Sequence, residues 1–262
     1  MIATDSRDDV DSPMLALMHT DISGQGTTVL FLHGGGVSGW MWQPVLDGLP
    51  RGVRTIVPDL PGHGRSQSSE YESHDTTIAE LVVLLRENTP RGVLVVGFSL
   101  GAQLALRLAA EQPELVRHAI LVSGEAKPAP LQGLTLWLLR GAYPLARREW
   151  FARLQAKQLS VPESLMNEYL RDSREISRTT LLASVGENIG FRLPGALREF
   201  KGETRVVVGE KERLLMRESA QLIHESSRKS RLLVVTGAAH DIPFTRPEVL
   251  VEMILAMVDV DR

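Results

Sequence analysis

Six short runs of Val, Ile and Leu recur along the chain, at residues 27–32, 53–57, 93–96, 119–122, 205–208 and 232–235. Within each run the apolar positions follow one another instead of alternating with polar ones. A strand with one wet face alternates, whereas a strand covered on both faces does not. The runs therefore predict a mainly parallel sheet buried between layers. An edge strand at 14–19 is expected to start it. Between the runs, apolar residues repeat at helical spacing over 76–88 and 100–111, and each pattern stops ahead of a proline, Pro90 or Pro113, because the residue before proline avoids helix. Pro247 falls in the first turn of a last helix running to about residue 258, where its missing N–H costs nothing. Strand and helix in alternation predict an α/β fold with helices on both faces of the sheet.

One stretch breaks the alternation. Residues 127–202 hold no convincing strand but several helical patterns, with Leu134, Leu136, Trp137, Leu138, Leu139, Tyr143, Leu145, Trp150 and Phe151 among them. We expect a helical cap at 127–202 over a core made of 1–126 and 203–262. Its apolar positions read first as contact between cap and core and second as the wall of a substrate cleft. A lid that opens on a membrane ranks behind both.

The composition narrows the function. A chain of 262 residues holds one large domain with an insertion or two small ones. A formal net charge of −3 gives no basic face for nucleic acid. With no cysteine, disulfides, thiolate nucleophiles and cysteine-bound metals are excluded, which fits the expected cytoplasmic setting. The first ten residues are acidic and polar, unlike a signal peptide, and are expected to form a loose tail. No apolar run approaches the ~20 residues that span a bilayer, so no integral membrane contact is expected.

The chemistry is concentrated after the third run. Val93-Leu94-Val95-Val96 leads straight into Gly97-Phe98-Ser99-Leu100-Gly101, and a helix follows. This is G-x-S-x-G between a strand and a helix. Glycines two positions either side let strand and helix approach closely, and the serine hydroxyl is left standing at a helix N-terminus, beside N–H groups suited to an oxyanion. A serine needs a base within reach, and His240, in Gly237-Ala238-Ala239-His240 after the last run, is the candidate. His224 falls inside a helical pattern instead.

With these features the chain resembles the α/β-hydrolase superfamily, in its capped serine-hydrolase branch. Phe31-Leu32-His33-Gly34-Gly35-Gly36 is similar to the family's oxyanion turn, and Asp59-Leu60-Pro61-Gly62-His63-Gly64-Arg65-Ser66 to its loop after the next strand. The resemblance implies an oxyanion hole from the backbone N–H groups of Leu100 and Gly35, with Gly34 as fallback, and structural roles for His33 and His63. It also implies the chain order serine, acid, histidine. The acid stays open: Glu212 stands where the family commonly has aspartate in Gly209-Glu210-Lys211-Glu212. Glu125, in Ser123-Gly124-Glu125, is the second option and Glu210 the third. Trp40, Trp42 and Phe98 are candidates to line the cleft, each with core packing as its rival role. The implied activity is hydrolysis of a carboxylic ester or thioester of a small apolar substrate through an acyl-enzyme on Ser99, with no metal and no cofactor. C–C bond hydrolysis or a lyase reaction, perhydrolysis, and a ligand-binding or regulatory role are the alternatives. The expected partner is a small-molecule substrate, and the oligomeric state is open.

Overall fold

The computed structural model describes residues 18–89 and 91–258. Seven strands form one sheet: β1 (Thr20–Ser23), β2 (Thr27–Leu32), β3 (Val53–Pro58), β4 (Val93–Phe98), β5 (Val116–Val122), β6 (Thr204–Gly209) and β7 (Ser230–Val235). Their order is β1-β3-β2-β4-β5-β6-β7. Only β1 runs antiparallel, against β3, with Thr20 opposite Pro58. The edge strand thus lies later than expected: Met18 and His19 precede it, and residues 14–17, like the acidic tail at 1–10, lie outside the described residues.

Alternate residues of the central strands feed two cores. In β2, Leu30 and Leu32 join one core while Val29 and Phe31 join the other. In β4, Val93 and Val95 face the first core and Leu94, Val96 and Phe98 the second. Every residue of β4 is buried, which is why its sequence runs apolar without a break. The edge strand β7 departs from this expectation, since Leu233 and Val234 are exposed. Helix α8 (Leu214–Ser226) packs on one side of this strand, and Leu232 reaches the first core, while the other side is open to solvent.

Helices α1 (Gln43–Leu46), α2 (His74–Asn88) and α3 (Leu100–Glu111) follow β2, β3 and β4. α2 begins two residues before its apolar repeat, because Ser73 caps it: the Ser73 side chain accepts from the Thr76 N–H and the Thr76 side chain answers the Ser73 N–H. Between β5 and β6 come four helices, α4 (Gln132–Ala146), α5 (Glu149–Gln158), α6 (Met166–Glu175) and α7 (Arg178–Gly190), and no strand. α8 (Leu214–Ser226), α9 (Ile242–Thr245) and α10 (Pro247–Val258) complete the chain. None of the helices described is long and apolar enough to cross a membrane.

Candidate active site

The turn between β4 and α3 is built by exclusion of side chains. A Cβ on Gly97 would stand 2.2 Å from the Gly101 carbonyl oxygen, and one on Gly101 would stand 2.1 Å from that of Leu32. Both contacts are with backbone, so neither position can give way. Between them Ser99 takes φ 53° and ψ −113°, a region that costs an L-residue roughly 1–3 kcal/mol. Its carbonyl accepts from Ala102 and Gln103 and opens α3. Ten of the twelve residues of α3 are buried, so the strained turn is held from both sides.

Ser99, His240 and Glu212 meet although they are far apart in the chain. His240 Nε2 lies 3.2 Å from Ser99 Oγ, and His240 Nδ1 lies 3.1 Å from Glu212 Oε2. An ionised carboxylate only accepts, so Nδ1 carries the proton and Nε2 is left to accept from the serine. Glu212 is buried. Its other oxygen, Oε1, accepts a short hydrogen bond from Ser123 Oγ. Ser123 follows the last residue of β5, has φ 54° and donates its N–H to Val207 in β6. The loops after β6 and β7 are brought together at Gly209, where a Cβ would approach the Ala238 oxygen to 2.5 Å, and Lys211 N–H bonds to the same carbonyl.

The two remaining glutamates do other things. Glu125 is not hydrogen-bonded to the imidazole. Burial holds its carboxyl above the usual range, against the pull of Arg213 and His240. Glu210 turns away and accepts from the Gly237 N–H at 2.8 Å, which braces the turn leading to His240. His224 sits in α8 and bonds to Ser230.

The two N–H groups expected to form an oxyanion site, those of Gly35 and Leu100, have no acceptor among the described residues. A Cβ on Gly35 would lie 3.8 Å from Leu100 Cδ2, so the Leu100 side chain lies against the glycine turn. The fallback, Gly34, instead points its N–H at Met41 Sδ, 3.4 Å away. His33 is fully buried and cannot be a base. Its Nε2 accepts from the Leu60 N–H and its Nδ1 bonds to the Gly34 carbonyl, and burial pushes its pKa down. It staples the glycine turn to the loop after β3. His63 is likewise buried and pushed down to about 3, by burial first and by His33 second.

Phe98 packs on the base, with ring centroids 4.8 Å apart from His240. Trp40 is half-buried, stacked on Phe244 and edge-on to Tyr169. Trp42 is fully buried against Phe31 and belongs to the core, not to a cleft. Three polar residues carry no local signal in the sequence and emerge only here: Ser123, Asp172 and Asp241. Asp172 of α6 accepts from Ser38 Oγ and Trp40 Nε1, each at 2.7 Å. Asp241 accepts from Ser160 Oγ at 2.8 Å and from the Ala239 N–H at 3.0 Å. Both tie the segment between β5 and β6 to loops of the site. Among the described residues no group of three or more His, Cys, Asp or Glu is placed to hold a metal.

The sheet order, the strained serine turn and the serine–histidine–carboxylate array define an α/β hydrolase, and the profile of the alpha/beta hydrolase family matches residues 29–253. The chain belongs to this family. It is 40% identical to esterase Rv0045c of Mycobacterium tuberculosis over 111 residues, 42% of this chain and 36% of that protein. It is 33% identical to the pimeloyl-(acyl-carrier protein) methyl ester esterase of Nitrosomonas europaea over 109 residues, 42% of each chain. The matched part thus spans less than half the length of these relatives. The esterase EaEST from Exiguobacterium antarcticum shares the fold, with TM-score 0.79 over 92% of this chain and 95% of that one, at 20% identity.

Proposed function

We propose that the protein hydrolyses a carboxylic ester or thioester of a small apolar substrate through an acyl-enzyme on Ser99. The observation that carries this reading is the continuous chain Ser99 Oγ, His240 Nε2, His240 Nδ1, Glu212 Oε2, with links of 3.2 and 3.1 Å. His240 takes the Ser99 proton as Oγ attacks the carbonyl carbon, and Glu212 stabilises the imidazolium that forms. The Gly35 and Leu100 N–H groups receive the oxyanion. Collapse of the tetrahedral intermediate breaks the bond to the alcohol or thiol, which leaves with the proton from His240. Water then attacks the acyl-enzyme, with His240 again as base, and the carboxylic acid departs. Phe98, packed on His240, and the half-buried Trp40 are assigned to the substrate. The esterase names of the two sequence relatives support the ester bond as target.

The test is a fluorophosphonate probe read by intact mass and mapped to its residue. One adduct at Ser99, absent from Ser99→Ala and from heat-unfolded protein, is expected. A folded protein left unlabelled at Ser99 would overturn the nucleophile assignment.

A further inference from the structure

Helix α4 has no buried residue, yet it is among the most apolar in the chain. Its inner side, with Leu136, Leu139 and Tyr143, is half-buried and packs toward α7. Its outer side is apolar too. Leu134, Leu138 and Leu145 recur at spacings of four and seven, which places them on one face; all three are exposed, as is Leu131 just before the helix. Trp137 beside them is 69% exposed. After two arginines the chain enters α5, where Trp150, 62% exposed, and Leu154 stand one turn apart. A helix apolar all round is stable in water only when both sides are covered. An uncovered stripe this long marks an interaction surface.

The charges beside it select the partner. Residues 131–158 carry five cations, Arg140, Arg147, Arg148, Arg153 and Lys157, against one anion, Glu149, in a chain whose net charge is −3. Glu149 is spent on Arg153 and Arg174. Arg148 and Lys157 have no acidic partner among the described residues, and Lys157 follows Trp150 and Leu154 by seven and three positions, on their face of α5. A second copy docked on this face would bring these cations against themselves, because a two-fold interface repeats each patch on both sides. A convex helix offers no groove for a partner's side chains. Leucines flanked by indoles and arginines on a surface helix are what an anionic lipid headgroup layer accepts: the apolar stripe enters the acyl boundary, indoles settle at headgroup depth and cations meet lipid phosphates.

We infer that the outer face of α4 and α5 docks the protein peripherally on anionic lipid bilayers. No helix among the described residues is long and apolar enough to span the membrane. None of the residues of this face belongs to the Ser99–His240–Glu212 array, so the inference stands or falls independently of the catalytic reading, and Ser99→Ala should dock as wild type does.

The test is sedimentation with large unilamellar vesicles of phosphatidylcholine alone or mixed with phosphatidylglycerol. Binding to the mixed vesicles, weakened by salt and much poorer on phosphatidylcholine alone, is expected. Brominated acyl chains should quench tryptophan emission, and the Trp137→Phe/Trp150→Phe double variant should lose that quenching, since the remaining Trp42 is buried and Trp40 is packed between Tyr169 and Phe244. Leu134→Ser/Leu138→Ser should lower the partition coefficient about tenfold or more, and Arg148→Glu/Lys157→Glu several-fold. Circular dichroism and hydrolysis of a soluble aryl ester check that each variant is folded. Failure of the wild type to bind the mixed vesicles would overturn the inference. So would a dimer that Leu134→Ser/Leu138→Ser dissolves while vesicles go unbound. Binding that polyaspartate abolishes and the leucine variant keeps would reduce the face to a charged patch for an acidic protein, and would overturn it as well.

Discussion

Asp172 is the residue on which the substrate side of the site hangs. The backbone after the glycine turn passes between two carboxylates. On the sheet side Asp59 Oδ1 accepts the Gly39 N–H at 2.8 Å. On the other side Asp172, from α6, accepts the Ser38 hydroxyl and the Trp40 indole on one oxygen. Asp172→Ala takes the acceptor from both donors, the buried Ser38 hydroxyl and the half-buried Trp40 indole. An unsatisfied buried donor costs about 1–3 kcal/mol, so the variant should lose about 2–4 kcal/mol once the relief of a buried carboxylate is subtracted. Freed on one side, the loop shifts and carries Gly35 with it. Loss of one oxyanion donor typically costs about 10²–10³ in kcat, so a fall of about 100-fold in kcat with a small change in KM is expected. Asp172→Asn keeps an acceptor oxygen for both donors and should stay within about 1 kcal/mol of wild type at neutral pH.

Asp172→Asn and the wild type also separate in their pH dependence. Burial raises the Asp172 carboxyl above its ordinary 3.8, against the opposing Ser38 and Trp40 bonds. The folded protein therefore holds this proton more tightly than the unfolded chain. The stability it contributes is full below 3.8 and is lost as pH rises through the raised folded value. Asparagine has no such proton, so Asp172→Asn should gain on wild type as the pH is raised from acid to neutral. Urea titrations at several pH values and steady-state kinetics on an aryl ester measure both effects. If Asp172→Ala keeps wild-type stability and kcat, or if Asp172→Asn is as damaging as alanine, the clamp does not exist.

Glu212→Gln should lower kcat about 10³–10⁴-fold, because the amide no longer fixes the Nδ1–H tautomer or stabilises the imidazolium. Glu125→Gln should cost less than about tenfold, and steady-state kinetics that rank the two the other way would transfer the triad acid to Glu125. Ser123→Ala removes the donor to Glu212 Oε1 and should reduce kcat about tenfold, the weight of one charge-assisted hydrogen bond; unchanged kinetics would show that the carboxylate is placed without it. Gly101→Ala drives a Cβ to 2.1 Å from the Leu32 carbonyl and should cost about 3 kcal/mol or more, seen as a lower thermal midpoint or loss of folded protein.

The nucleophile turn could be read from the sequence because its causes lie within nine residues. A strand that must be buried on both faces, a glycine pressed by its own turn at Gly97, and a helix that starts at once are local constraints, and Val93 to Gly101 displays all of them, although the atom that presses on Gly101 belongs to Leu32. The six apolar runs were readable for the same reason. β7 matched in place but not in burial, since no neighbouring residue announces that a strand lies at the edge. Trp40 and Trp42 look alike in sequence, yet one is half-buried against Phe244 and the other fills the core beside Phe31. Glu212 and Glu125 were both admissible acids. Only the approach of the β6 and β7 loops at Gly209 decides which carboxylate meets Nδ1. Ser123 and Glu212 are 89 positions apart, and Ser38 and Asp172 are 134 apart. A lone serine or aspartate leaves no periodic trace at such range. Sterics and hydrophobic burial act between neighbours and so are written along the chain. The meeting of single polar side chains depends on how whole elements come to rest against one another, and that is decided only in the folded structure.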